Sequence, residues 1–367
     1  MRKKITIAII LLITLTSMNL IRQAGLGKSP KGERLERIKS SKNYVNGEFK
    51  NIHQTPVISS DEGQFRMMMD FMFKKKIRVT PEDQIPVVKT DIKALKPNED
   101  VLIWFGHSSY FIQLKGKTFL VDPVFSKYAS PVSFVNKAFK GTSIYSTNDL
   151  PTIDYLIITH DHYDHLDYKT VSKLKDKVKH VVCGLGVGQH FEHWGYENSV
   201  INELDWHESL QLDQDWRLTA TPARHYSGRG LKSNQTLWAS YVLQAAGFNI
   251  YIGGDSGYDT FFSEIGENYG PFDLIILEQG QYDQNWNLIH MLPDQIFKAA
   301  NDLKAKRILP VHNSRFALAN HPWDEPLKEI TKNKTDAGIP VLTPVIGEPV
   351  LLCDTTQGFE NWWEGIN

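Results

Sequence analysis

The sequence predicts a layered α/β protein in which an antiparallel run of strands gives way to strands alternating with helices. From residue 101 onward, the short β-prone runs VLIWF, YFIQL and TFLVD are separated by the turn-forming stretches GHSS and KGK. Further runs of strand length follow, YLIIT, HVVC, RLTAT, LWASYVL, FNIYIGG, DLIILE, RILPV and PVLLC, interspersed with helical patterns over residues 168–177, 293–303 and 324–331. Composition is the third observation: 41% hydrophobic and 23% charged residues in a chain of 367 supply material for a sizeable core. Layered α/β domains often stay one unit well beyond ordinary domain size, so a single main domain is expected.

Taken in order, the chain opens on Arg2, Lys3 and Lys4, followed by a run over residues 5–21 that is apolar apart from scattered Thr, Ser and Asn. A basic start before an apolar stretch reads as an export signal or a single membrane anchor, which assigns residues 1–24 to targeting and the body of the protein to the extracytoplasmic or periplasmic face. No cysteine follows the run, so a lipid-modified N-terminus is not supported. Residues 25–54 are rich in Lys, Arg, Ser, Gly and Asn and are expected as an exposed linker or extended arm. Residues 55–367 form the expected catalytic domain. Within it, FRMMMDFMF at residues 65–73, followed by Lys74, Lys75 and Lys76, reads as a Met-rich packing helix, with a surface that grips an acyl chain or membrane as the alternative.

A formal net charge of -1 gives no broad attraction for nucleic acid phosphates, so nucleic acid is excluded as the expected partner. Cys183 and Cys353 are the only cysteines, and neither belongs to a Cys-x-x-Cys pair or finger spacing. Both sit in apolar strand-like runs and are expected as buried thiols rather than as a disulfide.

Chemistry concentrates at residues 155–167, YLIITHDHYDHLD, where an apolar strand stops abruptly in three histidines and three aspartates. Imidazole and carboxylate are the ligands of zinc and related transition metals, and a tight loop can fan alternate side chains towards two adjacent sites. A solvated polar turn is the bland alternative, but it leaves the close alternation of Asp and His after a buried strand unexplained. Each zinc takes about four ligands including water, so His160, His162, Asp164 and His165 need partners from elsewhere. Three later positions have that character, each after a strand: His225 beyond RLTATPA, Asp255 within YIGGDSGY, and His312 at the end of RILPV. A carboxylate such as Asp255 can bridge two cations, while each histidine closes one coordination shell.

In this order THDHYDHLD, the isolated His225, GGDSGY and LPVH resemble the metallo-β-lactamase superfamily. The stretch WFGHSSYFIQLKGKTFLVDPVFS at residues 104–126, with PARHYSGRG and HMLPDQ, is similar to the branch containing N-acylphosphatidylethanolamine-hydrolysing phospholipase D, over roughly residues 65–353. The resemblance implies a four-layer αβ/βα sandwich with a two-metal site at one edge. It implies two Zn2+ or related cations, one held by His160, His162 and His225, the other by Asp164, His165 and His312, with Asp255 between them. Relatives that use two irons for redox chemistry typically place a Glu where His162 stands, which points to hydrolysis. Where the family phospholipases commonly show Trp-Gly-Thr-Phe after the last ligand, this chain has Asn313, Ser314, Arg315 and Phe316.

The expected activity is therefore phosphodiester hydrolysis of phospholipase D type on N-acylphosphatidylethanolamine-like lipids at a membrane surface, with hydroxide from a water shared by two cations as nucleophile. Asp164 would both ligate and orient that nucleophile, and His290 in HMLP would face the substrate. A lactonase or esterase on the same scaffold, and a redox or binding protein with the same ligands, are the competing classes. Asp122 in LVDP is the candidate orienter of a ligand histidine, or else a turn former. His107 in GHSS sits either near substrate or in the framework. Arg224 and Arg229 flank His225 and read as phosphate-attracting groups or as solvated loop arginines. The remaining histidines, His53, His180, His190, His193, His207 and His321, carry no partner pattern, and Trp194, Trp206 and Trp216 read as packing residues.

Overall fold

The computed structural model describes residues 24–59, 77–132, 135–230, 232–245 and 247–367. The apolar run ahead of residue 24 and the FRMMMDFMF segment lie outside the described residues. Among the described residues no helix is long and apolar enough to cross a membrane.

Two sheets carry the fold. After a small hairpin of β1 (Tyr44–Val45) and β2 (Glu48–Phe49) come β3 (Val101–Trp104), β4 (Tyr110–Leu114), β5 (Lys117–Val121), β6 (Ile153–Ile158), β7 (Val178–Gly184) and β8 (Ile201–Leu204). The second sheet is built from β9 (Ser209–Asp213), β10 (Trp216–Thr221), β11 (Ser240–Ala245), β12 (Phe248–Ile252), β13 (Leu274–Glu278) and β14 (Ile308–Val311). A last strand, β15 (Pro349–Leu351), returns to the first sheet, whose order is β15-β3-β4-β5-β6-β7-β8; the second runs β14-β13-β12-β11-β10-β9. The runs expected to pair antiparallel do so, β3 with β4 and β4 with β5, after which β5 to β8 are parallel.

Alternation along the strands explains the layers. Leu102, Trp104, Ile112, Phe119, Val121, Ile157 and Val182 of the first sheet meet Leu218, Ala220, Tyr241, Leu243, Ile250, Ile252 and Ile276 of the second in one inter-sheet core. The opposite face of the first sheet, Ile103, Phe111, Leu120, Leu156 and Ile158, packs on Val171, Leu174 and Phe191 of the helices Tyr168–Leu174 and Gly188–His193. Val242, Tyr251, Ile275 and Ile308 on the outer face of the second sheet cover Phe262, Ile265, Ile296, Ala299 and Ile330 of the helices Phe261–Tyr269, Ile296–Asp302 and Glu325–Ala337. The result is a helix–sheet–sheet–helix sandwich, the four-layer arrangement expected. Central strands buried on both faces have to be continuously apolar, which is why β6 reads IDYLII.

The segment 25–54 is not an exposed arm. Its helix Gly32–Ser40 buries Ile38 completely in the inter-sheet core, and Arg34 reaches Glu203 at 2.7 Å, Glu192 at 2.5 Å and Asn198 at 2.9 Å. The β1–β2 turn places Asn46 and Gly47 both at positive φ, the geometry an Asn-Gly hairpin favours, and Phe49 is fully buried. Polar composition misled here because a few anchors, Ile38, Phe49 and Arg34, hold an otherwise hydrophilic stretch. Cys183 is a buried free thiol as expected; Cys353 is exposed, because β15 ends at Leu351 and the cysteine falls in the turn beyond it.

Candidate metal centre

The carboxyl ends of β6, β12, β13 and β14 and the segment after β10 open at one edge of the sandwich, where crevices beyond parallel strand ends accommodate ligands. All seven residues singled out as ligands meet there. His160, His162, Asp164 and His165 follow β6; His225 follows β10; Asp255 follows β12; His312 follows β14. Gly254 makes the meeting possible: its φ is +60°, and a Cβ there would stand 2.8 Å from the Thr159 Cβ, so only glycine lets the end of β12 press against the end of β6. Backbone bonds stitch the β3–β4 turn to the last segment, His107 N–H donating to Asn313 O at 2.8 Å and His312 N–H to His107 O at 3.0 Å. His107, Asp122, His312 and Ser314 all have positive φ. Left-handed conformations of non-glycine residues cost roughly 1–3 kcal/mol each and tend to collect at functional sites.

The donors form four overlapping groups, one of which joins Glu278 and His290 to Asp255 and His312; two of them correspond to the expected ligand sets. In the first, His160, His162 and His225 converge, His162 Nδ1 lying 2.9 Å from His160 Nε2 and 3.2 Å from His225 Nε2. In the second, His165 Nε2 stands 3.2 Å from Asp255 Oδ2 and 3.4 Å from Asp164 Oδ2, and His312 Nδ1 is 3.2 Å from Asp255 Oδ1. Asp255 touches both groups, with Oδ2 at 3.8 Å from His160 Nε2 and from His225 Nε2. His160, His165, His225, Asp255 and His312 are buried; His162 and Asp164 are partly open to the cavity.

Proton counting shows that this donor set suits cations. The Thr159 hydroxyl donates to Asp122 Oδ2 at 2.6 Å, so His160 Nδ1, 3.0 Å from that hydroxyl, must donate to it and leave a lone pair on Nε2. His225 Nδ1 faces the Ile289 carbonyl at 3.0 Å and must also donate, again leaving a lone pair on Nε2. His165 Nδ1 donates to Asp122 Oδ2 at 2.8 Å, which turns Nε2 towards two carboxylates. His165 Nε2, Asp255 Oδ1 and His107 Nδ1 are buried without a hydrogen-bond partner; Asp255 Oδ1, though close to His312, is out of line for one. Lone pairs converging on one another and on carboxylates in a buried site ask for positive charge between them. Burial first, then neighbouring imidazoles, hold His160, His225 and His312 well below the ordinary histidine range. Burial works the same way on His165, but the Asp255 and Asp164 carboxylates overcome it and raise that group.

Asp122, from the end of β5, thus orients His165 as the sequence suggested. His107 is fully buried and donates from Nε2 to Asp164 Oδ2 at 2.9 Å, fixing that carboxylate from behind. His290 lines a cavity of about 360 Å³ that opens on the centre together with His162, Asp164, Asp255, Tyr226 and an apolar wall of Val57, Ala129, Trp286, Ile289 and Leu318. The arginines differ from both expectations. Arg229 is buried, donating to the carbonyls of Gly25, Asp161 and Leu166, and Arg224 is tied to Thr55 and to the carbonyls of Tyr258 and Gln54. The Arg229 guanidinium is fully enclosed, whereas that of Arg224 is held by its partners but stays partly exposed. None of the four residues 313–316 lines the cavity; Arg315 turns inward, fully buried, to the carbonyls of Phe105 and Thr142.

Three residues went unread in the sequence. Glu278, the last residue of β13, pairs with His290 Nδ1 at 2.6 Å; burial pushes its carboxyl up to about 7, while His290, despite its own burial, is raised to about 8 by that carboxylate. The two titrate as a unit. Ser108 donates to or accepts from His312 Nδ1 at 2.9 Å. Asp161, inside the ligand loop, points backwards to Gly228 N–H, Thr236 Oγ1 and His190 Nε2. Only Asp161 left a trace, as the alternate member of the His-Asp repeat.

Comparison with known proteins agrees with this picture. The β-lactamase superfamily domain matches residues 117–313. An uncharacterized protein of Mycobacterium tuberculosis is 34% identical over 329 residues, 88% of this chain and 87% of that protein. N-acyl-phosphatidylethanolamine-hydrolyzing phospholipase D 1 of Caenorhabditis elegans is 28% identical over 295 residues, 72% of this chain and 82% of its own. Among solved structures, Igni18, a metallo hydrolase from the archaeon Ignicoccus hospitalis, shares the fold with a TM-score of 0.52 at 19% identity, over 69% of this chain and 98% of its own.

Proposed function

This chain belongs to the metallo-β-lactamase superfamily, in the neighbourhood of the phospholipase D branch, and on that premise we propose that it is a dinuclear zinc phosphodiesterase acting on N-acylphosphatidylethanolamine-like lipids. The observation that carries the reading is the convergence of donor groups on Asp255 beside a cavity lined by both polar and apolar side chains.

In this proposal His160, His162 and His225 would hold one cation and Asp164, His165 and His312 the other, with the Asp255 carboxylate available to both. Such cations lower the pKa of a water molecule and neutralise charge on a phosphoryl group. The chain's own residues do the rest. Asp122, the Thr159 hydroxyl and the Ile289 carbonyl fix which nitrogens of His160, His165 and His225 are free to ligate. His107 holds Asp164, which lines the cavity, so that the carboxylate orients the attacking water. Water gives a proton to the Asp164 carboxylate as its oxygen attacks phosphorus, the bond from phosphorus to the ethanolamine oxygen breaks, and His290, sharing a proton with Glu278, donates to the departing oxygen. Val57, Ala129, Trp286, Ile289 and Leu318 receive the acyl portion.

The export or anchoring role expected of residues 1–24 belongs to the same proposal. Ala24 and Gly25 dock on Trp194 and Arg229, and Tyr163, which stacks on Arg229, also lines the cavity. A chain tethered through its N-terminus would carry the cavity mouth close to a lipid surface.

The test is direct: metal-loaded protein is offered N-acylphosphatidylethanolamine, and mass spectrometry follows phosphatidic acid and N-acylethanolamine. Both products are expected in equal amounts. Absence of both, with turnover of a chromogenic lactone or ester instead, would move the assignment to the other bond.

A further inference from the structure

We infer that residues 24–28 are a positioning strap for the metal centre, holding from outside the loop that carries four of its ligands. The inference rests on the two-cation reading above and concerns a segment that composition marks as linker.

The strap makes three separate attachments. Ala24 O accepts from Trp194 Nε1 at 2.7 Å, Gly25 O accepts from Arg229 Nε at 2.9 Å, and Lys28 N–H donates to His190 Nδ1 at 2.9 Å. The second and third lead directly to the ligand loop. Arg229 Nη1 donates to Asp161 O at 2.8 Å and to Leu166 O at 2.7 Å, so one buried guanidinium grips both ends of the stretch that contains His162, Asp164 and His165. A guanidinium is a rigid planar fork, and fixing Nε on Gly25 O fixes the direction of Nη1. Stacking of the same group over Tyr163 at 4.5 Å and against Trp194 at 5.1 Å leaves it no other orientation.

The other path runs through a tautomer. Because Lys28 N–H is a donor, His190 Nδ1 must be the accepting nitrogen, so the ring proton sits on Nε2 and donates to Asp161 Oδ2 at 3.3 Å. Asp161 then accepts from His190, Thr236 Oγ1 and Gly228 N–H, which aligns the backbone between His160 and His162. Gly27 completes the fit. It has φ of +71°, and a Cβ there would stand 2.1 Å from His190 Nδ1, so any side chain expels the ring from its position. A linker needs no such residue; a strap seated against an imidazole does.

The experiment compares three forms of the protein: one beginning at residue 24, one beginning at residue 30, and the full chain with Gly27→Ala. Zinc affinity is read by competition with a chromophoric chelator, the geometry of the centre by the visible spectrum of the cobalt-substituted protein, and folding by circular dichroism. The form beginning at residue 24 is expected to bind metal as the full chain does. The form beginning at residue 30 and Gly27→Ala are expected to bind roughly 10-fold more weakly, the low end of the range for groups bonded to a ligand itself, because the strap acts one contact further out. Their cobalt spectra should shift at temperatures where circular dichroism shows an intact fold. If the shorter form does not fold, Gly27→Ala alone decides. Zinc affinity and cobalt spectrum unchanged in Gly27→Ala would overturn the strap. Failure of every form, including the full chain, to bind zinc would instead overturn the metal-centre reading on which it stands.

Discussion

Asp122 Oδ2 accepts the His165 Nδ1 proton at 2.8 Å and the Thr159 hydroxyl proton at 2.6 Å, so one carboxylate at the end of β5 sets the free nitrogen of His165 directly and that of His160 through the threonine. Both rings belong to different donor groups, which makes Asp122 the link between them.

Asp122→Asn should therefore weaken metal binding by roughly 10–100-fold while leaving the fold intact, since outer partners of ligand histidines carry effects of that size. Chelator competition measures it. Unaltered affinity for both cations would show that the tautomers are set elsewhere.

His290→Gln and Glu278→Gln separate ligation from proton transfer. Neither residue belongs to the proposed ligand set, so metal content should hold while kcat falls by roughly 10²–10⁴-fold, the range typical of a lost general acid. Elemental analysis beside single-turnover rates distinguishes this from a loss that follows metal depletion.

Gly254→Ala tests the approach of β12 to β6. A Cβ 2.8 Å from the Thr159 Cβ, on a backbone at φ of +60°, is expected to cost about 1–3 kcal/mol of stability and to lower metal content together with it. Denaturant unfolding of the metal-free and metal-loaded variant reads both.

Acid should destabilise the metal-free protein. Burial holds His160, His225 and His312 well below their unfolded values. Below the ordinary histidine range the unfolded chain therefore binds more protons than the native one, and stability falls as pH falls. His165, His290 and the Glu278 carboxyl are raised and act in the opposite sense, but burial lowers His107 and His162 as well, so the raised groups are outnumbered. Thermal melts in a chelating buffer are expected to move down steadily between neutral pH and about pH 5, where unfolded histidines charge. A flat profile would contradict the burial of neutral imidazoles.

The main strands were legible because they are buried on both faces, so runs such as YLIIT and DLIILE are continuous and end sharply at the site. β8, β9 and the helix Gly188–His193 were not, since Ser209–Asp213 exposes alternate residues and the helix is a single short stretch with no apolar period. The Asn-Gly hairpin around Asn46 was a readable signal that the polar composition of residues 25–54 obscured. The seven proposed ligands were visible because each follows a strand with a residue type that has no business in a bare turn. Glu278 was hidden by its position as the ordinary last residue of LIILE, and the inward roles of Asp161 and Arg229 were not legible because their partners lie up to 204 residues away in sequence.

The count of bound cations tests the central claim most directly. Elemental analysis of the dialysed, zinc-loaded full chain should give two zinc ions per chain, and the Asp255→Ala variant should lose at least one of them. One cation or none in the parent protein, or an Asp255→Ala variant that keeps both, would contradict a dinuclear centre joined through Asp255.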